Sequence, residues 1–232
     1  MPPSGSSEPQ SLNAVLTSAA RLQELVPGAV LVGGSAAAYH ARHRLSFDHD
    51  HVVADLADRF ETVLDHLEAL GDWSTARAQP GKIVLGSLGG IESGIRQLRR
   101  TRPLEIDIVD IAGRPLRVPT AVETLRIKAW LALTRNQTRD YLDIAALADR
   151  IGLDVAAAAL AALDVYYADL YEGDDRVATQ VARQLADPRP RDSRVTRELA
   201  HYKQLDQRWH DWAAVVAMCR AVAERMVSGP AS

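Results

Sequence analysis

Asp48 and Asp50 stand one residue apart in the otherwise largely apolar run Ser46–Ala54. The run reads as a β-strand, in which residues i and i+2 project from the same face, so the two carboxylates lie side by side. Like charges in a poorly hydrated place repel each other and are costly unless a cation sits between them. Mg²⁺ (or Mn²⁺) suits that role, because it prefers oxygen donors and is commonly held by one or two carboxylates plus substrate phosphates. Taken alone, the pair could equally be edge-strand carboxylates facing water.

A second feature precedes the pair. The short apolar strand Ala29–Val32 runs into Gly33–Gly34–Ser35, and a helix is expected over 35–43. Glycines let the backbone turn tightly and approach a ligand, and a helix N-terminus offers free N–H groups to an anion. By itself a Gly-Gly pair is common in strand–helix turns. A third carboxylate is expected from the strand at 104–111, LEIDIVDI, where Glu105 and Asp107 share one face and Asp110 takes the other. Asp107, mid-strand between Ile106 and Ile108, is the choice, with Glu105 in reserve. Two metals held by Asp48, Asp50 and Asp107 could clamp the attacking and leaving oxygens of an in-line phosphoryl displacement. His49 and His51 alternate with the aspartates and should point to the opposite face, as packed or partly exposed rings rather than a transition-metal site.

The elements that must position these residues divide the chain near Pro119. The first part, 11–118, alternates. Helices are expected at 11–25, 35–43 and 55–70, the last with Leu56, Phe60, Leu64 and Leu67 on one stripe, and strands at 29–32, 46–54, 82–88, 91–98 and 104–111. This predicts an α/β fold, a mixed sheet flanked by helices. The second part, 119–232, reads as an all-helical C-terminal bundle. Its helices fall at 121–134, 138–150, 154–171, 174–187 and in a long stretch over 193–227. Thr120 and Glu123 have the spacing of a capping box at its start. Residues 1–10, rich in Pro, Ser and Gly, read as a flexible tail.

Composition sets limits. With 232 residues, 47% hydrophobic and 25% charged, the chain can bury a core. No stretch reaches the ~18 apolar residues of a membrane span, and no signal-peptide pattern opens the chain, so no membrane partner and a cytoplasmic location are expected. The single cysteine, Cys219, fits a reducing compartment and reads as a core residue. Net charge of −3 gives no general reason for nucleic-acid binding. Local clusters, Arg96/Arg99/Arg100/Arg102 and Arg189/Arg191/Arg194/Arg197, could contact phosphate, although most charged runs are solvated faces. Trp209 and Trp212 read as core packing.

Taken together, Gly33-Gly34-Ser35, Arg44-x-Ser46-x-Asp48-x-Asp50 and the strand aspartate resemble the minimal nucleotidyltransferase (polymerase-β-like) superfamily. Within it the likeness is to the AbiEii/AbiGii-type toxins of bacterial type IV toxin–antitoxin systems, including the MenT group. Those proteins follow the sheet with a helical lysine and then a segment like Arg-x-x-x-Arg/Lys-Asp-Tyr-x-Asp. This chain has Lys128, then Arg135, Arg139, Asp140, Tyr141 and Asp143. The resemblance runs from about Val30 to Leu147. His49 departs from it, the residue between the two aspartates usually being aliphatic.

The resemblance implies an ATP-like nucleoside triphosphate as substrate, its nucleoside monophosphate passing to a hydroxyl with release of pyrophosphate. Asp48 and Asp50 would bind the metal, and Asp107 would complete a second metal site or take the acceptor's proton. Gly33, Gly34 and Ser35 would hold the β- and γ-phosphates, with Arg44 and Ser46 nearby. Lys128 would neutralise phosphate charge, an electrostatic task suited to a compact ammonium. Asp143 would orient Lys128 or join the site, whereas Asp140 reads as a surface or helix-start charge. The implied acceptor is the tRNA 3′ end, the arginine clusters tracking its backbone. The implied partner is a cognate antitoxin. The same fold also serves enzymes that modify antibiotics or proteins, and a non-catalytic scaffold is a further alternative.

Overall fold

A computed structural model describes residues 11–173 and 175–229; the expected tail at 1–10 lies outside the described residues. The chain begins with helix α1 (Leu12–Leu25), whose first turn is capped by Ser11 accepting from the Ala14 N–H. Strand β1 (Val30–Val32) passes directly into helix α2 (Gly33–Ala41), and β2 (Asp48–Val53) returns beside it. After α3 (Phe60–Glu68) come β3 (Trp73–Gln79), β4 (Ile83–Leu88) and β5 (Ile91–Gln97). These strands form one five-stranded mixed sheet in the order β1-β2-β5-β4-β3, with only β2 and β5 parallel.

The two faces of the sheet are unlike. On one, Val53, Ile95, Val84 and Leu88 pack with Leu22 of α1 and with Phe60, Val63 and Leu67 of α3. Burying such side chains contributes roughly 1.5–3 kcal/mol each, which fixes the register of the whole sheet. The other face carries Asp48, Asp50 and, across the β2–β5 register, Glu92, Gly94 and Arg96.

Strands β6 (Ile106–Ile111) and β7 (Arg114–Pro119) form a separate antiparallel hairpin, not part of the five-stranded sheet. Its Ile111, Leu116 and Val118 pack with α1, α2 and Leu31.

From α4 (Ala121–Arg135) the chain is helical: α5 (Thr138–Ile151), α6 (Leu153–Ala161), α7 (Asp164–Tyr167), α8 (Val177–Ala186) and α9 (Trp212–Ser228). Tyr141, Leu142, Leu147, Leu160, Val181 and Cys219 share their core, and Ala37 of α2 joins it. Thr120 caps α4 by accepting from the Glu123 N–H, but Glu123 does not reach back to complete a capping box. It is fully buried and paired with Arg100 and Arg126 instead.

The long helix expected over 193–227 is confined to 212–228. Before it run short 3₁₀ turns at Val195–Arg197, Leu199–His201 and Gln207–Trp209, broken by left-handed Lys203 and Gln204. Asp206 and Asp211 each accept a backbone N–H two residues on, which starts a new turn rather than continuing a helix. Among the described residues no helix is long and apolar enough to cross a membrane.

Candidate active site

A cleft of about 270 Å³ opens between the carboxylate face of the sheet and helix α4, with Gly33, Gly34, Asp48, Asp50 and Lys128 in its lining. Asp48 and Asp50 are both half-buried and project into it from β2. Ser46 Oγ donates to Asp48 Oδ1 at 3.0 Å, which orients that carboxylate. Arg96 stands 3.6 Å from Asp50 Oδ1. Gly94, facing Asp50 across the register, leaves room for that carboxylate, since a Cβ there would run into Asp50 Oδ1.

Helix α2 starts at the mouth of the β1–α2 turn with no side chain capping it, so its first N–H groups are left to the cleft. Gly33 has φ +76°, a left-handed value that favours glycine. A Cβ on Gly34 would lie 2.8 Å from Ser46 Oγ and 2.9 Å from Arg44 Nη2, so only glycine brings the turn this close to them. Ser35 is buried and its hydroxyl donates to the Asp48 carbonyl, tying the helix start to β2.

Behind the cleft lies a closed ionic cluster. Asp143, 0% exposed, accepts from Arg44 Nε at 2.8 Å and Nη2 at 3.0 Å, and from His43 Nε2 at 2.8 Å. Lys128 Nζ lies 2.6 Å from its other oxygen. Burial pushes the Asp143 carboxyl up, but Arg44 and Lys128 more than offset this and hold it well below the usual carboxylate range. Burial lowers His43 despite the raising pull of the Asp143 carboxylate. Asp140, also 0% exposed, takes Arg135 through two oxygens at 2.6 and 2.7 Å, with Lys128 3.8 Å away. Arg44, Lys128 and Arg135 against Asp140 and Asp143 leave the cluster with net positive charge beside the cleft. Arg139 lines the same cleft, and its buried Nε has no acceptor among the described residues.

The structure brings together Gly33, Gly34, Arg44, Ser46, Asp48, Asp50, Lys128 and Asp143, and it corrects three expectations. Asp107 is not in the cleft lining: it lies exposed on the β6–β7 hairpin. The reserve residue, Glu105, is held by Arg126 at 2.8 Å and Tyr166 at 2.7 Å, also away from Asp48. Asp140 is a buried ion-pair partner rather than a surface charge. Asp143 is enclosed by His43, Arg44 and Lys128 and is not part of the cleft lining. Of the arginine clusters, Arg96, Arg99 and Arg100 line the cleft, Arg100 being buried and paired with Glu123 at 2.6 Å. Arg189, Arg191, Arg194 and Arg197 are exposed, with Arg189 paired to Asp187 at 2.7 Å.

His49 and His51 occupy the opposite face, as expected, and are buried. The hydroxyls of Ser18 and Ser93 each lie 3.0 Å from His49 Nε2. Sequence reasoning passed over Glu92, which the register sets beside Asp48 on the same face. The alternation Glu92-x-Gly94-x-Arg96 was the available signal. It also passed over Tyr202 and Lys203, which line the cleft from a segment 154 residues after Asp48 at its nearest, where local sequence carries no hint.

The donor set fits one hard divalent cation. Two carboxylates share a face and a pocket, and among the described residues no three His, Cys, Asp or Glu side chains converge. Mg²⁺ held by Asp48 and Asp50 would therefore complete its shell with substrate oxygens and water, as such sites commonly do.

No family model matches the chain. Its fold is similar to that of MenT4, a nucleotidyltransferase toxin from Mycobacterium tuberculosis, at 15% identity over 95% of this chain and 84% of that one, with a TM-score of 0.56. It is also similar to a protein from H. pylori assigned as a nucleotidyltransferase, at 16% identity over 95% and 97% of the two chains, TM-score 0.51. The fold is thus nucleotidyltransferase-like. In sequence, 147 residues are 36% identical to the heme uptake protein MmpL11 of Mycobacterium tuberculosis, covering 61% of this chain. The matched part of that protein is 14% of its length. The mycolic acid-containing lipids exporter MmpL11 of Mycolicibacterium smegmatis matches over 131 residues, also at 36%, again a small part (13%) of that protein.

Proposed function

We propose that this chain transfers a nucleoside monophosphate from a nucleoside triphosphate to an acceptor hydroxyl, as a toxin of the AbiEii/AbiGii (MenT-like) type acting on the tRNA 3′ end. One observation carries the reading: an uncapped helix N-terminus, the Asp48/Asp50 pair and Lys128 line a single cleft. The similarity of the fold to MenT4 supports it.

In this reading the triphosphate lies against the first N–H groups of α2, where helix dipole and free donors favour an anion. Lys128, fixed by Asp143, faces the phosphates as a charge already in place, so little reorganisation is needed as the transition state forms. Arg44 is held by the same carboxylate and stiffens the Gly34–Ser46 side of the cleft. Asp48 and Asp50 would hold Mg²⁺, which when bound would neutralise phosphate charge and align the triphosphate for in-line attack. The acceptor hydroxyl oxygen attacks the α-phosphorus and its proton passes to solvent water, the bond from the α-phosphorus to the α–β bridging oxygen breaks, and pyrophosphate departs. Arg96, Arg99 and Arg139 line the route by which an RNA backbone would enter.

The test is incubation of the purified chain with Mg²⁺, each α-³²P-labelled NTP in turn and total bacterial tRNA, followed by a denaturing gel. Label in the tRNA band that disappears with Asp50→Ala is the expected result. Label in protein or in a small molecule instead would transfer the assignment to another acceptor. The toxin reading has its own check: expression should slow growth, and Asp48→Ala should relieve it.

A further inference from the structure

The cleft that holds the carboxylates has a second, chemically different part. Leu98, Leu104, Ile127, Leu131 and Leu170 line it together with Trp130. Trp130 is only half-buried, and its indole stacks on Tyr167, with ring centroids 4.9 Å apart and planes 9° from parallel. Tyr167 is in turn held by the Arg100 guanidinium, 5.1 Å from its ring centroid, and Arg100 is anchored by Glu123 and by the carbonyls of Arg102 and Pro103. The stack is therefore fixed from behind, Tyr171 meets Trp130 edge-on with centroids 6.4 Å apart, and Trp130 forms part of the cleft lining. Trp130 and Lys128 sit on the same helix, two residues apart, so one rigid element carries both the charge and the aromatic surface.

A cavity with cations and helix N–H groups in one part and a fixed aromatic surface in the other is complementary to a molecule with an anionic tail and a flat head. Resting on the nucleotidyl-transfer reading, we propose that Trp130, backed by Tyr167, is the platform on which the base of the bound nucleoside triphosphate stacks. Beside this surface Gln97 bonds the backbone of Ala54, Ala57 and Leu98. Arg100 donates from its Nε and Nη2 to protein acceptors, while its buried Nη1 has no hydrogen-bond partner among the described residues. Stacking on such a surface is tolerant of base identity, because every base has a π-face.

The experiment is equilibrium binding of Mg²⁺–NTP and of Mg²⁺–inorganic triphosphate, which has no base, to wild type, Trp130→Ala and Trp130→Phe. Trp130→Ala should weaken NTP binding by about tenfold or more, the range expected for loss of one base–aromatic stack. It should leave triphosphate binding within twofold, and Trp130→Phe should recover most of the loss. Unchanged NTP affinity in Trp130→Ala, or equal losses for NTP and triphosphate, overturns the platform. So does unchanged NTP affinity accompanied by weaker binding of a short oligoribonucleotide, which would assign the surface to the acceptor. Wild type that binds neither NTP nor triphosphate would instead remove the nucleotidyl-transfer reading beneath it.

Discussion

Arg44 and Asp143, 99 residues apart in the chain, meet through hydrogen bonds of 2.8 and 3.0 Å in a fully enclosed place. This bidentate pair joins the loop before β2 to helix α5, so the position of the carboxylate face depends on a contact between the two halves of the chain. Asp143→Asn keeps the shape and removes the charge, leaving Arg44 and Lys128 buried without their counter-ion. Breaking such a pair costs about 3–5 kcal/mol. The urea midpoint should fall markedly, and nucleotide transfer with it; an unaltered midpoint would show that the cluster does not hold the halves together.

Asp48→Asn and Asp50→Asn should behave in the opposite way. Each relieves repulsion between half-buried like charges, so the melting temperature without metal should stay level or rise. Transfer should drop by about 10³-fold, and the stabilisation given by Mg²⁺ with NTP should vanish. Retained activity in either variant would remove that carboxylate from the site.

Gly94→Ala places a methyl group against the Asp50 carboxylate while every charged residue stays in place. The chain should remain folded, with a loss of activity approaching that of Asp50→Asn. Full activity would mean that the Asp50 carboxylate does not need the position seen here.

Asp107→Ala should change transfer by less than about twofold, because the residue is exposed on the hairpin rather than beside Asp48 and Asp50. A loss as deep as that of Asp50→Asn would mean that the hairpin folds onto the cleft when substrate is bound.

Acid should destabilise the protein in two stages. Burial pushes His49 down from 6.5 to about 4, against the favourable pull of Asp48, and it also lowers fully buried His51 well below its ordinary value. In the unfolded chain these rings take up protons near the ordinary pH of ~6.5, so below that the unfolded state binds more protons and stability declines as pH falls. For Asp143 the folded carboxyl is depressed, so its contribution is complete above the ordinary carboxylate range and is lost only below about pH 4. Urea midpoints should be level from pH 8 to 7 and then drop between about 6.5 and 4. His51→Leu should flatten that drop; an equal slope in wild type and variant would assign it elsewhere.

Much of the sheet was readable because its signals are local. The Asp48-x-Asp50 alternation and the Gly33–Gly34 break each declare an element within a few residues, and the buried face of β2 is visible in the spacing of Val53 and the histidines. Strands β3 and β7 were not legible: Trp73–Gln79 is an exposed sheet edge without apolar alternation, and Arg114–Pro119 carries two prolines. The choice of Asp107 failed for a related reason. Alternating carboxylate and aliphatic residues mark a strand but not which sheet it joins, and β6 pairs only with β7. Lys128 and Asp143 could be picked out by type, but their joint burial with Arg44 depends on packing across the whole chain. The stretch 193–211 was overread because helix-forming residues are frequent there, while the aspartates that restart each turn act through individual hydrogen bonds.

The segment Tyr202–Asp206 clasps the loop before β2: Leu45 donates to the Lys203 carbonyl at 2.9 Å and Asp206 to that of His43 at 2.7 Å. Tyr202 and Lys203 thereby form part of the cleft wall. In order of synthesis the two aspartates precede Asp143, and Asp143 precedes the clasp. Domains fold as their sequence becomes available, so a growing chain carries the carboxylates long before it has the wall that completes their cleft. Synthesis itself acts as a delay, and nascent chains halted before Tyr202 should be inactive in the tRNA-labelling assay although both aspartates are present.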